Sequence, residues 1–280
     1  MQERVWIHVP EIHQQELERW KEYLKYHTVD MELGRVAVYE FITNKTEDLN
    51  FKQFTKERNI RCIVSRREYS FTKAEKDQAD ILYLIIDGNG GDSTSDESLY
   101  YTCPTCMYEV RKVNRSRVRV DYKEVSKYDI CISYLPNCEV VVSQKLIDLM
   151  VGEKISGYET TPIYQTGTDE VIPNFYQLLL NTGLGEAVAP TIVERGIRCV
   201  DCGFYTRNLI KSLLHYKKLE SRSYDICYAS DWYGDIYRNK YVGSRAIVIS
   251  QKLYRIMKEN KIRAFSVQPA AFIFMRDRES

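Results

Sequence analysis

The tetrapeptide Tyr-Asp-Ile-Cys occurs twice, at residues 128–131 and 224–227, each time ending 28 residues after the first cysteine of a Cys-x-x-Cys pair. The pairs are "CPTC", with Cys103 and Cys106, and "CVDC", with Cys199 and Cys202. One offset of 96 therefore superposes three cysteines and the Tyr-Asp-Ile before the third. The match continues at an offset of 107, "VVVSQKLIDLM" against "AIVISQKLYRIM" and "KISGYETTP" against "KIRAFSVQP", because the second copy carries extra residues around "DWYGDIYRNKY". Self-similarity of this kind fixes the architecture before any local reading. Two copies are too few for a solenoid. They imply an internal duplication of one small module, with the copies packed as a pseudo-twofold pair.

The chain has 280 residues, enough for two or three domains, and its net charge of +1 gives no general polyanion-binding signature. No apolar run approaches the ~20 residues that span a bilayer, so no membrane partner is expected. The N-terminal residues are amphipathic and lack the apolar core of a signal peptide. That points to the cytoplasm, where thiols stay reduced. Eight cysteines there are better read as ligands and buried residues than as disulfides.

The first part of the chain reads as alternating strands and helices. "RVWIHV", "RVAVYEFI", "RCIVS" and "DILYLII" have strand patterns. Pro10 opens a helix whose Leu17, Trp20 and Leu24 share a face, and Thr72 with Glu75 makes a capping box for a short helix. The stretch 87–98, "DGNGGDSTSDES", has three glycines, four acids and no base, and reads as a linker. Each later copy reads as a knuckle, a basic stretch, the "YDIC" strand and a second strand. Ser143 or Ser250 then caps a helix, and a last strand closes the copy. The expected fold class is α+β. An N-terminal α/β segment (1–98) precedes two β-rich modules (99–185 and 186–280), each with a zinc knuckle and one helix.

Zinc takes four tetrahedral ligands, and a Cys-x-x-Cys knuckle aims two thiolates at one ion. Two knuckles complete a closed structural site. The 92 residues between Cys106 and Cys199 exceed the usual spacing of about 15–20, but modules packed about a twofold axis bring equivalent knuckles together. Cys103, Cys106, Cys199 and Cys202 are thus the expected ligands of one Zn2+ per chain, with bare thiols and redox dithiols as the alternatives. Cys131 and Cys227 lie in apolar strands and read as small buried hydrophobes, while Cys62 and Cys138 have no evident partner.

These knuckles, about a hundred residues apart and each followed by a β-rich stretch, resemble the double-CXXCG proteins of myxobacteria. The segment "GSRAIVISQKLYRIMKENKIRAFSVQP", residues 243–269, is also similar to that family and to related bacterial immunity proteins. The family's knuckle ends in glycine, kept here as Gly203 and replaced by Met107. The resemblance implies a non-enzymatic, zinc-stabilised protein, an immunity-type inhibitor that binds and occludes a cognate toxin.

Other features suggest partners. Residues 107–127 carry seven Lys or Arg against three acids, and 203–223 five against one. Basic strands beside zinc knuckles, with Tyr108 and Phe204 for stacking, make a zinc-ribbon nucleic-acid binder the alternative function. The four histidines show no catalytic spacing. Asp129 and Asp225 read as hydrogen-bonding residues rather than an acid–base pair. The insertion in the second copy offers Asp231, Trp232, Tyr233, Asp235, Tyr237 and Arg238, the composition of a protein-binding hot spot. The bland reading of that insertion is a hairpin folded over its own core.

Overall fold

The computed structural model describes residues 2–10, 24–31, 34–43, 53–58, 63–94, 100–105, 109–111, 117–134, 139–189, 191, 193–194, 199–201, 206–209, 214–217, 224–237 and 240–273. The chain is mixed α+β, with many strands and few helices among those residues. It divides into two compact units, Met1–Glu75 with Ile210–Ser212, and Lys76–Leu209 with Leu213–Ser280. The division falls earlier than the boundary near residue 98 that the sequence suggests.

The first unit holds an antiparallel sheet of β1 (Gln2–Pro10), β2 (Leu24–Met31), β3 (Gly34–Thr43) and β4 (Ile63–Ser70), in the order β2-β3-β1-β4. All three strands expected before residue 70 are present. The helix expected after Pro10 falls on residues 11–23, outside the described residues, but Leu24, read as part of its apolar face, instead begins β2. At the junction of the units, α1 (Lys73–Gln78) starts with the anticipated capping box. The Thr72 amide donates to Glu75 Oε2 at 2.8 Å, and the Glu75 amide donates to Thr72 Oγ1 at 3.2 Å.

The second unit is built on two curled sheets. Its elements begin with β5 (Ile81–Ile86), β6 (Asn89–Asp92), β7 (Tyr100–Thr102), β8 (Glu109–Arg111), β9 (Arg119–Val120), α2 (Tyr122–Val125), β10 (Ile130–Tyr134) and β11 (Glu139–Ser143). There follow α3 (Gln144–Gly152), β12 (Tyr158–Gln165), β13 (Val171–Leu180), β14 (Val193–Glu194), β15 (Thr206–Leu209) and β16 (Leu214–Lys217). The last elements are β17 (Ile226–Tyr237), β18 (Lys240–Ser250), α4 (Gln251–Glu259) and β19 (Phe265–Ile273). One sheet runs β6-β10-β11-β13-β12-β9, and the other runs β14-β15-β17-β18-β5-β19-β16.

Read from β10 and from β17, the two sheets have the same sequence of neighbours and the same senses. β11 and β18 follow antiparallel. Next come β13 and β5, antiparallel on both sides. A parallel strand, β9 or β16, lies beyond β12 or β19. The first sheet then curls onto itself through the antiparallel bridge of Thr94 to Arg119. In the second, residues 182–187 span the curl, Thr182 bridging parallel to Tyr228 and Ala187 antiparallel to Tyr216. In chain order, however, the third members differ, since β13 follows β12 within its own stretch whereas β5 is supplied from upstream. β5 precedes the first knuckle yet lies in the sheet that follows the second. β13 stands between the two "YDIC" strands and lies in the first sheet.

Three apolar clusters fill this frame. One curled sheet encloses Val118, Val120, Cys131, Val141, Ile163 and Ile172. The other encloses Leu214, Tyr216, Cys227, Ala229, Ala246 and Val248. The third lies between them, where Ile130, Val142, Leu146 and Met150 meet Ile226, Ile249, Leu253 and Met257. The capped helices supply its centre, with Ser143 Oγ accepting from the Leu146 amide and Ser250 Oγ from the Leu253 amide.

The repeated tetrapeptide now has a physical account, residue by residue. Each tyrosine packs on its own sheet's interior cluster, Tyr128 on one and Tyr224 on the other. Each isoleucine, Ile130 or Ile226, enters the shared cluster. Each cysteine points into its own sheet. Each aspartate clasps two segments at once. Asp129 Oδ1 accepts from the Ser143 hydroxyl, and its Oδ2 accepts from the Arg263 amide at 2.8 Å and Nε at 3.2 Å. Asp225 Oδ1 accepts from the Ser250 hydroxyl, and its Oδ2 accepts from the Ser156 amide and hydroxyl, each at 3.0 Å. Ser156 and Arg263 are themselves related by the offset of 107.

Glycine enters where backbones come close. A Cβ on Gly183 would lie 2.8 Å from Cys227 Sγ, and one on Gly90 would lie 3.0 Å from Cys131 Sγ. Gly88 and Gly90 therefore let β6 lie against β10, so the stretch read as a linker contributes a strand at residues 89–92. The two interiors differ in one row. The Gln177 amide donates to Glu139 Oε2 at 2.6 Å, and Gln177 Oε1 accepts from Thr161 Oγ1 at 3.0 Å. Ala246 and Tyr83 take the places of Glu139 and Gln177 in the other sheet.

Asp129 is buried, which by itself would raise its pKa, but the Arg263 amide and guanidinium, with Lys145 nearby, hold it below the usual value. A depressed folded-state pKa gives stability that is fully present above the unfolded value of about 3.9 and is lost as pH falls through the folded value. Asp129→Ala should cost about 2–3 kcal/mol, since it leaves charged and backbone donors unpaired. A lower urea midpoint at unchanged slope would show this. Asp129→Asn should flatten the loss of stability below about pH 4 relative to the parent.

Candidate metal centre

Each Cys-x-x-Cys pair sits in the loop of a small antiparallel pairing, β7 with β8 for the first and β14 with β15 for the second. The stretch between the strands is six residues in the first case, 103–108, and eleven in the second, 195–205. Cys103 and Cys199, the first cysteines of the two pairs, are buried and face each other with their Sγ atoms 3.7 Å apart. Thr105 and Asp201 meet in the same way, the threonine hydroxyl donating to Asp201 Oδ2. Both contacts join residues 96 apart in sequence. Contacts between equivalent positions are what a local twofold relation produces at its axis. Pro104, Thr105, Val200 and Asp201, which follow the two buried cysteines in the chain, are exposed.

Cys106 and Cys202 lie outside the described residues, as do Cys62 and Cys138. Among the described residues, no three His, Cys, Asp or Glu side chains are grouped to hold a metal ion. The structure thus brings together two of the four expected ligands, one from each pair.

The other two described cysteines behave differently. Burial pushes the Cys131 thiol up to about 12. Burial likewise raises Cys227 to about 11, against the opposing pull of the Gly183 amide and Arg245. Each is enclosed in its own sheet interior, as their apolar flanking sequence suggests.

The backbone of the second-copy insertion continues β17 and β18 as a long hairpin. Its register pairs Trp232 with Arg245, Tyr233 with Ser244, Asp235 with Val242 and Tyr237 with Lys240. Asp231 belongs to the same strand, and Arg238 lies outside the described residues. The strand shifts register between Tyr228 and Trp232. Arg245 pins that irregularity: its Nε donates to the Ala229 carbonyl at 2.8 Å, Nη2 donates to Thr182 Oγ1 at 2.7 Å, and the guanidinium lies over the Tyr228 ring. Sequence reading missed Arg245, whose partners are distant along the chain.

Of the basic stretches, the described part of the first makes contacts within the chain. The Arg117 guanidinium lies 5.1 Å from the Tyr164 ring centroid, Arg119 pairs with Asp169, and Lys127 pairs with Glu124. The second stretch is described only at Thr206–Leu209 and Leu214–Lys217. No helix among the described residues is long and apolar enough to cross a membrane. No protein-family model and no curated protein matches this chain.

The raised thiols give a direct check. At pH 8, Cys131 and Cys227 should resist alkylation by iodoacetamide in the folded protein and react only on unfolding, because the thiolate is the nucleophile. Peptide mass spectrometry of native and denatured samples reads this out, and rapid native labelling of either would contradict the burial.

Proposed function

We propose that the chain is a non-enzymatic, internally duplicated binding protein whose two halves are bridged by one structural zinc ion at Cys103, Cys106, Cys199 and Cys202. It acts as an immunity-type inhibitor that occludes a bacterial toxin. The observation that carries the metal reading is the approach of Cys103 to Cys199. Zn–S bonds of about 2.3 Å in a tetrahedron place sulfurs about 3.8 Å apart, and the two thiols stand at 3.7 Å. The donor set is soft and symmetric, which suits zinc. A closed set of four thiolates leaves no position for water or substrate, so the ion's chemistry is structural.

The duplication is supported by the matching sheet orders and by the reciprocal clasps of Asp129 and Asp225. A symmetric scaffold presents its surfaces twice. An inhibitor of one toxin needs a single unsymmetric patch, and the β17–β18 hairpin is the largest departure from the matching pattern. Asp231, Trp232, Tyr233, Asp235, Tyr237 and Arg238 are therefore the proposed partner contacts. The inhibitor reading itself comes from the resemblance to double-CXXCG and immunity proteins.

Purified protein should contain one zinc per chain, and Cys199→Ser should release it and lower stability, because metal affinity is coupled to folding. Against a toxin encoded beside the gene, Trp232→Ala should weaken binding roughly thirtyfold or more with zinc content unchanged. Two zincs, or none with the fold intact, would remove the metal reading. Full affinity in Trp232→Ala would move the contact surface elsewhere.

A further inference from the structure

We infer that Cys103 and Cys199 form a redox couple that closes a disulfide between the two halves of the second unit and expels the metal, an inference whose reduced state rests on the zinc reading above. The two sulfurs come from different Cys-x-x-Cys pairs and are already in contact at 3.7 Å. A disulfide needs about 2.05 Å, so each Sγ has to move by only roughly 0.8 Å, within the reach of a side-chain rotation. The Thr105–Asp201 hydrogen bond joins the knuckle tips across the same junction and holds the thiols in register while the bond forms.

The chemistry balances with a peroxide as oxidant. One thiolate sulfur attacks a peroxide oxygen, the O–O bond breaks, and a sulfenic acid forms as water leaves. The second thiol then attacks the sulfenic sulfur, the S–S bond forms, and a second water departs. The two sulfurs together lose two electrons, and the peroxide gains them. A disulfide offers no thiolate charge, so a site left with two thiolates of four loses its hold on zinc. The bond would close a 96-residue separation, and long closed loops restrict the unfolded chain most. The halves thus stay joined after the metal has gone. Cys131 and Cys227, with thiols raised by burial inside their sheets, take no part.

The test treats the reduced full-length chain with hydrogen peroxide, once as purified with its zinc and once after stripping with a chelator. Zinc release is followed with a chromophoric chelator, and disulfides are mapped by non-reducing peptide mass spectrometry. The expected result is a linked peptide pair containing Cys103 and Cys199, formed with loss of one zinc per link and reversed by dithiothreitol. Links confined to Cys103–Cys106 and Cys199–Cys202, sulfinic acids alone, or free thiols in both preparations would overturn it. If the untreated protein holds no zinc but the cross-repeat link still forms, the metal reading fails and the redox pair stands. If zinc is present and the link forms in neither preparation, the redox pair alone fails.

Discussion

One curled sheet of the second unit draws all its strands from residues 89–180, but the other cannot be completed from one contiguous stretch of chain. β5 enters before the first knuckle and fills the gap between β18 and β19. β13 arrives after the first "YDIC" segment and fills the gap between β11 and β12. Without either strand, two neighbours would expose unpaired backbone donors and acceptors, and buried ones are costly to leave unmade. The entry of β5 from upstream ties the later sheet to the earlier part of the unit. The clasps of Asp129 and Asp225 reinforce that tie, because each joins its own helix cap to a loop from the opposite half. The meeting of Cys103 with Cys199 depends on that tie, since only a fixed relation between the halves brings equivalent residues face to face.

What the sequence disclosed follows from the range of each signal. Ser143, Ser250 and the Thr72–Glu75 box were legible because a cap and its target lie three residues apart. The 96-residue offset pointed to the meeting of Cys103 with Cys199 because identical spacing of three cysteines is itself long-range information. Asp129 was recognisable as a hydrogen-bonding residue, but its partner Arg263 lies 134 residues away, and no local pattern names it. "DILYLII" reads as a buried strand without saying which sheet it enters. The glycines near residue 90 were read as flexibility, yet they are there for contact: a Cβ on Gly88 would stand 2.5 Å from the Ile130 carbonyl oxygen. The Glu139–Gln177–Thr161 row is equally invisible in sequence, because it runs across strands rather than along them.

The two halves differ in ways that bear on their use. One interior carries a buried, hydrogen-bonded polar row, and the other fills the same level with Ala246 and Tyr83. One hairpin is short, and the other extends to Tyr237 and Lys240 with its base fixed by Arg245. Matching frames with unequal additions are what a duplicated scaffold yields when one copy keeps the structure and the other gains a surface. The proposed zinc would fit that division, since at the Cys103–Cys199 contact it would hold the frame and leave the hairpin free to vary.

Native-state hydrogen exchange in low denaturant tests the cooperative frame most directly. If β5 and β13 hold the unit together, amides of Leu82 and Leu84 in β5 and of Gln177 and Leu178 in β13 should open with one common free energy. Ile130 and Ile226 should share it, and all should converge on global unfolding of the unit. Exchange of the β5 amides through a separate, lower-energy opening, while β17 and β18 stay protected, would contradict the account.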